Sequence, residues 1–472
     1  MNNKSTNKTK WLALGVLVTQ PFMACLDSSI VNVALPTISQ KLNVQMSGAE
    51  WIVSAYLIVI SAAILIFGRL GDIKSKSLIF NKGILGFVLG SLLCALSPNI
   101  VLLVLARVVQ AIGAAMIMST NQGIITDIFP PSERGKALGI SGSFVALGSL
   151  LGPALGGFIV TYLSWHFIFL INIPIGLVAY FFARKYLPKE NKSSGEGFDG
   201  KGALLFSSST LFIFTCIMLG QHLGYTSIYI LGGFIVGIIL FIFFLLVEKK
   251  AKSPMLYLAL FKKRTFSLNL FCAFVSFVAI NTINIIQPFY LNDVLGYTAE
   301  EISFVMLFYP LILFVVAPLS GSLSDKIGSK KLTLAGLFIT TLSMYLLSTA
   351  GEHTSKLSLI SMLVLLGFGN GLFQSPNTNL IMSSVPKEKL GIAGGTNALI
   401  RNLGLAFGVS ASTSYLYFKM SEAAGFKVLG SIPGRPEIFV YGMKEVYIIV
   451  AIICFISFIL SLIDYFTSKD YK

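Results

Sequence analysis

The chain alternates long apolar stretches with short polar loops. Read in a window of about 19 residues, the stretches resolve into roughly 14 segments, each long enough as a helix for a hydrocarbon core about 30 Å thick. They fall at 11–35, 51–70, 79–97, 100–121, 137–162, 166–185, 202–221, 226–247, 266–291, 302–321, 332–350, 357–382, 391–418 and 444–466, numbered α1 to α14 in chain order. Of 472 residues 55% are hydrophobic and 12% charged, 38 are Phe, and mean hydropathy is +0.82, the composition of an all-α polytopic membrane protein. The basic start MNNKSTNKTK imitates a signal peptide, but the first stretch runs far past Trp11 without a small-residue cleavage site, so it is read as a helix. Cys25, Cys94, Cys216, Cys272 and Cys454 all fall inside predicted helices without metal-type spacing and are read as small apolar packing residues.

The net charge of +15 changes the picture only through its placement. With the N-terminus on the cytoplasmic side, 27 of the 35 Lys and Arg lie on that side. Six (Lys41, Lys356, Lys419, Lys427, Arg435, Lys444) lie opposite, and two are inside helices. This positive-inside asymmetry predicts cytoplasmic termini and accounts for the charge as topology, not as nucleic-acid binding.

Two loops repeat each other 253 residues apart, GRLGDIKSKS from Gly68 and GSLSDKIGSKK from Gly321. A second pair, LGISGSFVALGSLLGPALGG from Leu138 and LGIAGGTNALIRNLGLAFGV from Leu390, lies 252 apart. Two pairs at nearly one offset imply an internal duplication in which α1–α6 match α9–α14 in the same membrane orientation, with α7–α8 inserted. The predicted division is 1–187 for the N-terminal six-helix bundle, 188–265 for α7–α8 with basic linkers, and 266–472 for the C-terminal bundle.

The GRLGDIKSKS loop resembles the Gly-x-Leu-Ala/Gly-Asp loop of the major facilitator superfamily. LDSSIVNVALPTI (26–38), RVVQAIGAA (107–115), GSLLGPALGG (148–157) and WHFIFLINIPIG (165–176) resemble motifs of its 14-helix drug/proton antiporter branch, across essentially the whole chain. Ile73 stands where the loop commonly has Arg, Ser75 where it has Gly, and Ala111 where the α4 motif has Gly.

Three charged residues fall well inside predicted helices: Asp27, Arg107 and Arg401. Each costs at least about 2.5–3.5 kcal/mol there, which marks it as a site residue. Asp27 lies about 24 Å up α1 and Arg107 about 12 Å below the outer surface in α4, depths that allow a direct or water-bridged contact. Either they form a permanent pair pinning α1 to α4, or Asp27 carries the coupling proton while Arg107 stabilises its charge until substrate or conformation intervenes. The resemblance implies the second. Gln110, in the same α4 motif, is placed in the substrate cavity. Arg401 sits near the midplane of α13, able to meet an anionic or polar substrate group or to bond helix-end carbonyls; its duplicate-frame partner is Ser149. Asn281, Thr282, Asn284 and Gln287 on α9, and Gln374, Asn377 and Asn379 around Pro376 on α12, line a wet cavity or bridge helices. The cavity reading is adopted for Asn281, Asn284, Gln287, Gln374 and Asn377.

The resemblance further implies a cytoplasmic latch, Asp72 facing a helix N-terminus of the other half and a loop arginine, with Arg134 as candidate and Gly68 beside it. Lys74 replaces the missing arginine at Ile73 poorly, Asp325 is the latch candidate in the second copy, and Asp127 is read as a solvated interfacial acid. In GSLLGPALGG, Gly148, Gly152 and Gly156 share one helix face, and Pro153 removes an N–H and crowds the carbonyl of Ser149. Gly152 and Gly156 recur as Gly404 and Gly408, whereas Gly148, Pro153 and Gly157 become Ile400, Leu405 and Val409. The expectation is a bend and a tight half-to-half seam that limits leak.

The chain has no G-x-x-x-x-G-K-S/T loop and no H-E-x-x-H, and its histidines, His166, His222 and His353, fall at outer ends or loops. Enzyme chemistry, cofactors and metals are therefore not expected, and the outer loop at about 419–443 is read as a partly ordered cap or a connector. The expected function is a proton-coupled antiporter, monomeric in a bacterial cell membrane, exporting amphipathic small molecules between α1, α4, α5 and α9, α12, α13. One deep acid against two deep arginines predicts that neutral, zwitterionic or anionic compounds are handled at least as well as cations. A lipid or metabolite exporter, or a proton-coupled importer, are the alternatives.

Overall fold

The computed structural model describes residues 2–44, 46–188, 197–428, 430–432 and 434–467. Among the described residues there is no strand, and fourteen long helices follow the predicted order. They are α1 Asn2–Lys41, α2 Trp51–Ile73, α3 Lys76–Ala95, α4 Ile100–Ile128, α5 Pro131–Tyr162, α6 Asn172–Tyr186, α7 Gly200–Leu223 and α8 Ile228–Lys250. The second bundle comprises α9 Arg264–Phe289, α10 Ala299–Ile327, α11 Ser329–Ser348, α12 Lys356–Ser383, α13 Leu390–Ala424 and α14 Pro436–Thr467.

Several helices overrun their apolar segments, because backbone hydrogen bonding continues into the polar flanks that hydropathy excludes. α13 and α14 accordingly shorten the outer loop expected at 419–443. Side chains fix many of the starts: Ser75 accepts from the Leu78 N–H, Asn99 from Leu102, Ser355 from Ser358, and Thr298 forms a capping box with Glu301. α13 ends on Gly425, whose φ of +78° is left-handed.

Thirteen of the described helices are long and apolar enough to cross a membrane. α13 is the exception to the predicted fourteen, since Thr396, Asn397, Arg401 and Asn402 dilute its hydropathy. It lies in the middle of the molecule, packed on α2, α4, α9 and α14, where protein replaces lipid around its polar groups.

In the first bundle α1 packs on α5 and α6, α4 on α2 and α3, and α3 on α6. In the second, α9 packs on α12, α13 and α14, and α12 on α10 and α11. The bundles meet where α5 packs on α10 and α12, and where α13 packs on α2 and α4. α7 and α8 form a hairpin, and α7 lies along both α2 and α13.

The glycine seam is not where the sequence put it. A Cβ on Gly148 would meet the Phe22 carbonyl at 2.6 Å, one on Gly152 would collide with Ser29, and one on Gly156 would meet the Ile30 carbonyl at 3.2 Å. All three partners are on α1, so the seam joins two helices of one bundle. Gly404 and Gly408 do the same for α13 against α9, where an added Cβ would lie 2.8 Å from the carbonyl of Phe274 or of Val278 respectively. The spacing of four identified a close backbone approach but carried no information about the partner. Pro153 is exposed and Gly157 has open space around it, so neither belongs to the contact.

Candidate functional site

The deepest polar cluster is built around Asp27, 1% exposed on α1. Arg107 Nη1 on α4 donates to Asp27 Oδ2 at 2.5 Å, its Nε donates to the Ile52 carbonyl at 3.0 Å, and its guanidinium lies 4.1 Å from the centre of the Tyr56 ring. Asp27 Oδ1 accepts from Gln110 Nε2 at 3.0 Å and from Asn172 Nδ2 at 2.7 Å. Gln110 also donates to Ser91 Oγ at 2.9 Å and accepts from Arg107 at 2.6 Å. A bare buried charge pair would be unfavourable, and this one is held by two amides, a carbonyl and a ring face, although Arg107 Nη2 is buried without a hydrogen-bond partner.

The predicted contact between Asp27 and Arg107 is therefore direct. Gln110 is fully buried and is engaged by Asp27, Arg107 and Ser91, which differs from the cavity-lining place expected of it. Asn172 was missed. It is the first residue of α6, two after the short helix Phe167–Leu170, and its amide reaches Asp27 on α1. Its signal was a single amide inside the apolar run FIFLINIPIG.

The second bundle has no such cluster, and several of its amides serve as bridges. Asn281 Nδ2 donates to the Leu405 carbonyl at 2.6 Å, Asn377 Nδ2 to the Asn269 carbonyl at 3.0 Å, and buried Gln287 Oε1 accepts from Tyr447 at 2.8 Å. These three correct the cavity reading, because a carbonyl or hydroxyl on the neighbouring helix lay within amide reach. Thr282 bonds Ser412 Oγ at 2.6 Å and Asn379 donates to Ser329. Asn284 is exposed and Gln374 half-buried, consistent with an open face.

Arg401 occupies the place where α13 faces α1 across the two bundles. Its Nη2 lies 3.4 Å from Cys25 Sγ, its guanidinium lies 5.8 Å from the centre of the Phe277 ring, and its Nε is buried without a hydrogen-bond partner. Cys25 is thus only half-buried and is the exception to cysteines as inert packing; the other four are buried.

At the end carrying the repeated basic loops, here the basic end, two carboxylates cross between the bundles. Asp72 accepts from the N–H groups of Gly391 and Ile392 at 2.7 and 2.9 Å, at the start of α13. Asp325 accepts from Gly135 and Lys136 at 2.8 and 3.0 Å, near the start of α5. One turn before each acid a glycine permits the crossing: a Cβ on Gly68 would meet the Gly391 carbonyl at 2.6 Å, and one on Gly321 would collide with Gly135. Asp325 thus makes the same kind of contact as Asp72. Arg134 serves the other site than expected: its Nη1 and Nη2 bond Ser383 and the Thr126 carbonyl, and its charge acts on Asp325. The cations acting on Asp72 are Lys76 and Arg69, not Lys74, and Asp127 pairs with Lys76 at 3.5 Å. Asn397 on α13 adds a bond to Gln122 on α4 at 2.9 Å.

The linker after the inserted hairpin joins this latch. Glu248, ending α8, accepts from the Met255 and Leu256 N–H groups at 3.0 and 3.2 Å and folds the chain back. Tyr257 follows, its ring centre 5.5 Å from the Arg69 guanidinium of one bundle and 3.1 Å from Lys389 Nζ of the other. Among the described residues no group of three His, Cys, Asp or Glu is placed to hold a metal ion.

Two repeated bundles, a caged intramembrane ion pair and paired latches define a polytopic membrane transporter. The chain belongs to the Major Facilitator Superfamily, whose sequence model matches residues 17–409. It is 36% identical to the riboflavin transporter RibZ of Clostridioides difficile, covering 96% of this chain and 97% of that one. It is 29% identical to the multidrug transporter protein MdtP of Bacillus subtilis, covering 94% and 83%. The human organic anion transporter MFSD10 shares the fold, with a TM-score of 0.67 at 13% identity over 96% of this chain and 99% of that one. The family moves solutes and is not one of enzymes.

Proposed function

We propose that this transporter is a proton-coupled exporter of amphipathic compounds, monomeric and working by alternating access, with both termini in the cytoplasm and the chain divided at 187 and 265. The positive-inside asymmetry supports the orientation. The double latch then closes the cytoplasmic end and leaves substrate and proton to exchange on the other side.

The observation that carries the reading is the cage of Asp27. Protonation removes the charge that Arg107, Gln110 and Asn172 hold in place and leaves Arg107 a buried cation without its counter-ion. The α1–α4–α6 contact then has to rearrange, which links a proton to the angle between helices. The α1–α5 glycine seam lies beside Asp27 on the same helix and fixes the backbone against which this rearrangement works.

The name of one relative favours a second reading, a flat vitamin such as riboflavin as physiological cargo, while that of another favours drugs. The test is purified protein in proteoliposomes under an imposed pH gradient, with riboflavin and a panel of lipophilic drugs. Gradient-driven movement of at least one compound, lost in Asp27→Asn, is expected. Full movement by Asp27→Asn would refute the coupling role.

A further inference from the structure

Two arginines lie deep in this molecule, and their surroundings differ. Arg107 has a carboxylate, a carbonyl, an amide and an aromatic face. Arg401 has no carboxylate within ion-pair distance among the described residues, and its one hydrogen-bond contact is a thiol sulphur, a weak acceptor. A cation between membrane helices is costly and marks a place on a solute or ion pathway by default, the more so when its protein partners are weak acceptors. Arg401 has not been turned to a neighbouring helix carbonyl, as Asn281 on the facing α9 has, so its donors remain available between the bundles.

The apolar surroundings narrow the ligand. The Phe277 ring lies beneath the guanidinium, and Phe22, one turn before Cys25 on α1, packs edge-on against Phe144 at 6.3 Å between ring centres. A guanidinium fork beside aromatic faces suits a flat ring system that ends in an anionic or strongly accepting edge. We propose that Arg401 anchors the anionic edge of a planar aromatic substrate between α1, α9 and α13, which sets the transporter's charge preference. This rests on the reading of the chain as an exporter with its binding site between the bundles.

The probes are fluorescein and rhodamine 123, which share a flat xanthene body and differ in charge. Binding to the purified full-length protein is measured by fluorescence anisotropy, and movement is measured in proteoliposomes with a pH gradient. In Arg401→Gln the Kd for fluorescein should rise about tenfold or more while that for rhodamine 123 stays within about threefold, and Arg401→Lys should recover part of the fluorescein affinity. An equal loss for both dyes would assign Arg401 a purely structural role, and no loss, or no fluorescein binding by the native protein, would equally overturn the anchor. Arg401-dependent binding without gradient-driven movement would uphold the anchor and defeat proton coupling. Gradient-driven movement indifferent to Arg401 would do the reverse.

Discussion

Asp325 holds the backbone N–H of Gly135 at 2.8 Å, as Asp72 holds that of Gly391 at 2.7 Å, so the latch is a matched pair with one carboxylate contributed by each bundle. Hydrogen bonds to a charged group contribute about 1.5–3 kcal/mol each. Asp325→Asn should therefore open the basic end as much as Asp72→Asn does, each lowering the closed population about tenfold. Thiol labelling of a Thr396→Cys probe, buried on α13 beneath the latch, measures this. A silent Asp325→Asn would leave the latch to Asp72 alone.

The glycines at these crossings give a steric test. Gly68→Ala places a methyl 2.6 Å from the Gly391 carbonyl, whereas Gly157→Ala meets nothing within 4 Å. Overpacking of this kind costs about 1–3 kcal/mol. Thermal unfolding and labelling of the same Thr396→Cys probe should both change in Gly68→Ala and neither in Gly157→Ala.

Asn172→Ala removes one donor from Asp27 and leaves Arg107 in place. With the carboxylate less well satisfied, by about 1–3 kcal/mol, gradient-driven exchange should fall about tenfold while substrate affinity in binding assays is retained. Equal losses in both would make Asn172 a packing residue only.

Much of this arrangement was legible in the sequence, and the failures share a cause. Depth along a helix follows from residue count, so the meeting of Asp27 with Arg107 could be anticipated. Direction around a helix cannot be counted that way when nearly every position is apolar. Gln110 and the α9 and α12 amides were therefore assigned to a cavity although most face a neighbouring helix. The glycine spacing likewise gave a face but not the helix opposite it. Arg134 was matched to Asp72 as the loop arginine that the resemblance implied, yet the duplication crosses the pairs. Each acid meets the helix start of the other bundle, and Arg134, on α5, follows its own helix start to Asp325. Asn172 was missed for the same reason, since one amide in an apolar run does not say which neighbouring helix it faces.

Tyr257→Leu loses two ring–cation contacts of about 0.5–2 kcal/mol each and should weaken the latch relative to the native protein. The Thr396→Cys probe, introduced into each background, measures this by its labelling rate. A Leu variant that labels no faster would leave the ring a role in packing only.

That ring also bears on the inserted hairpin. α7 is bonded to the first bundle through Ser207 and the Ala62 carbonyl at 2.9 Å, receives Ser410 of the second at 3.5 Å, and its linker ends between a cation from each. A segment attached to two bodies at two heights cannot travel rigidly with either. A rotation of one bundle against the other would have to break or slide one of these contacts, so the inserted hairpin would loosen from one bundle as the basic end opened.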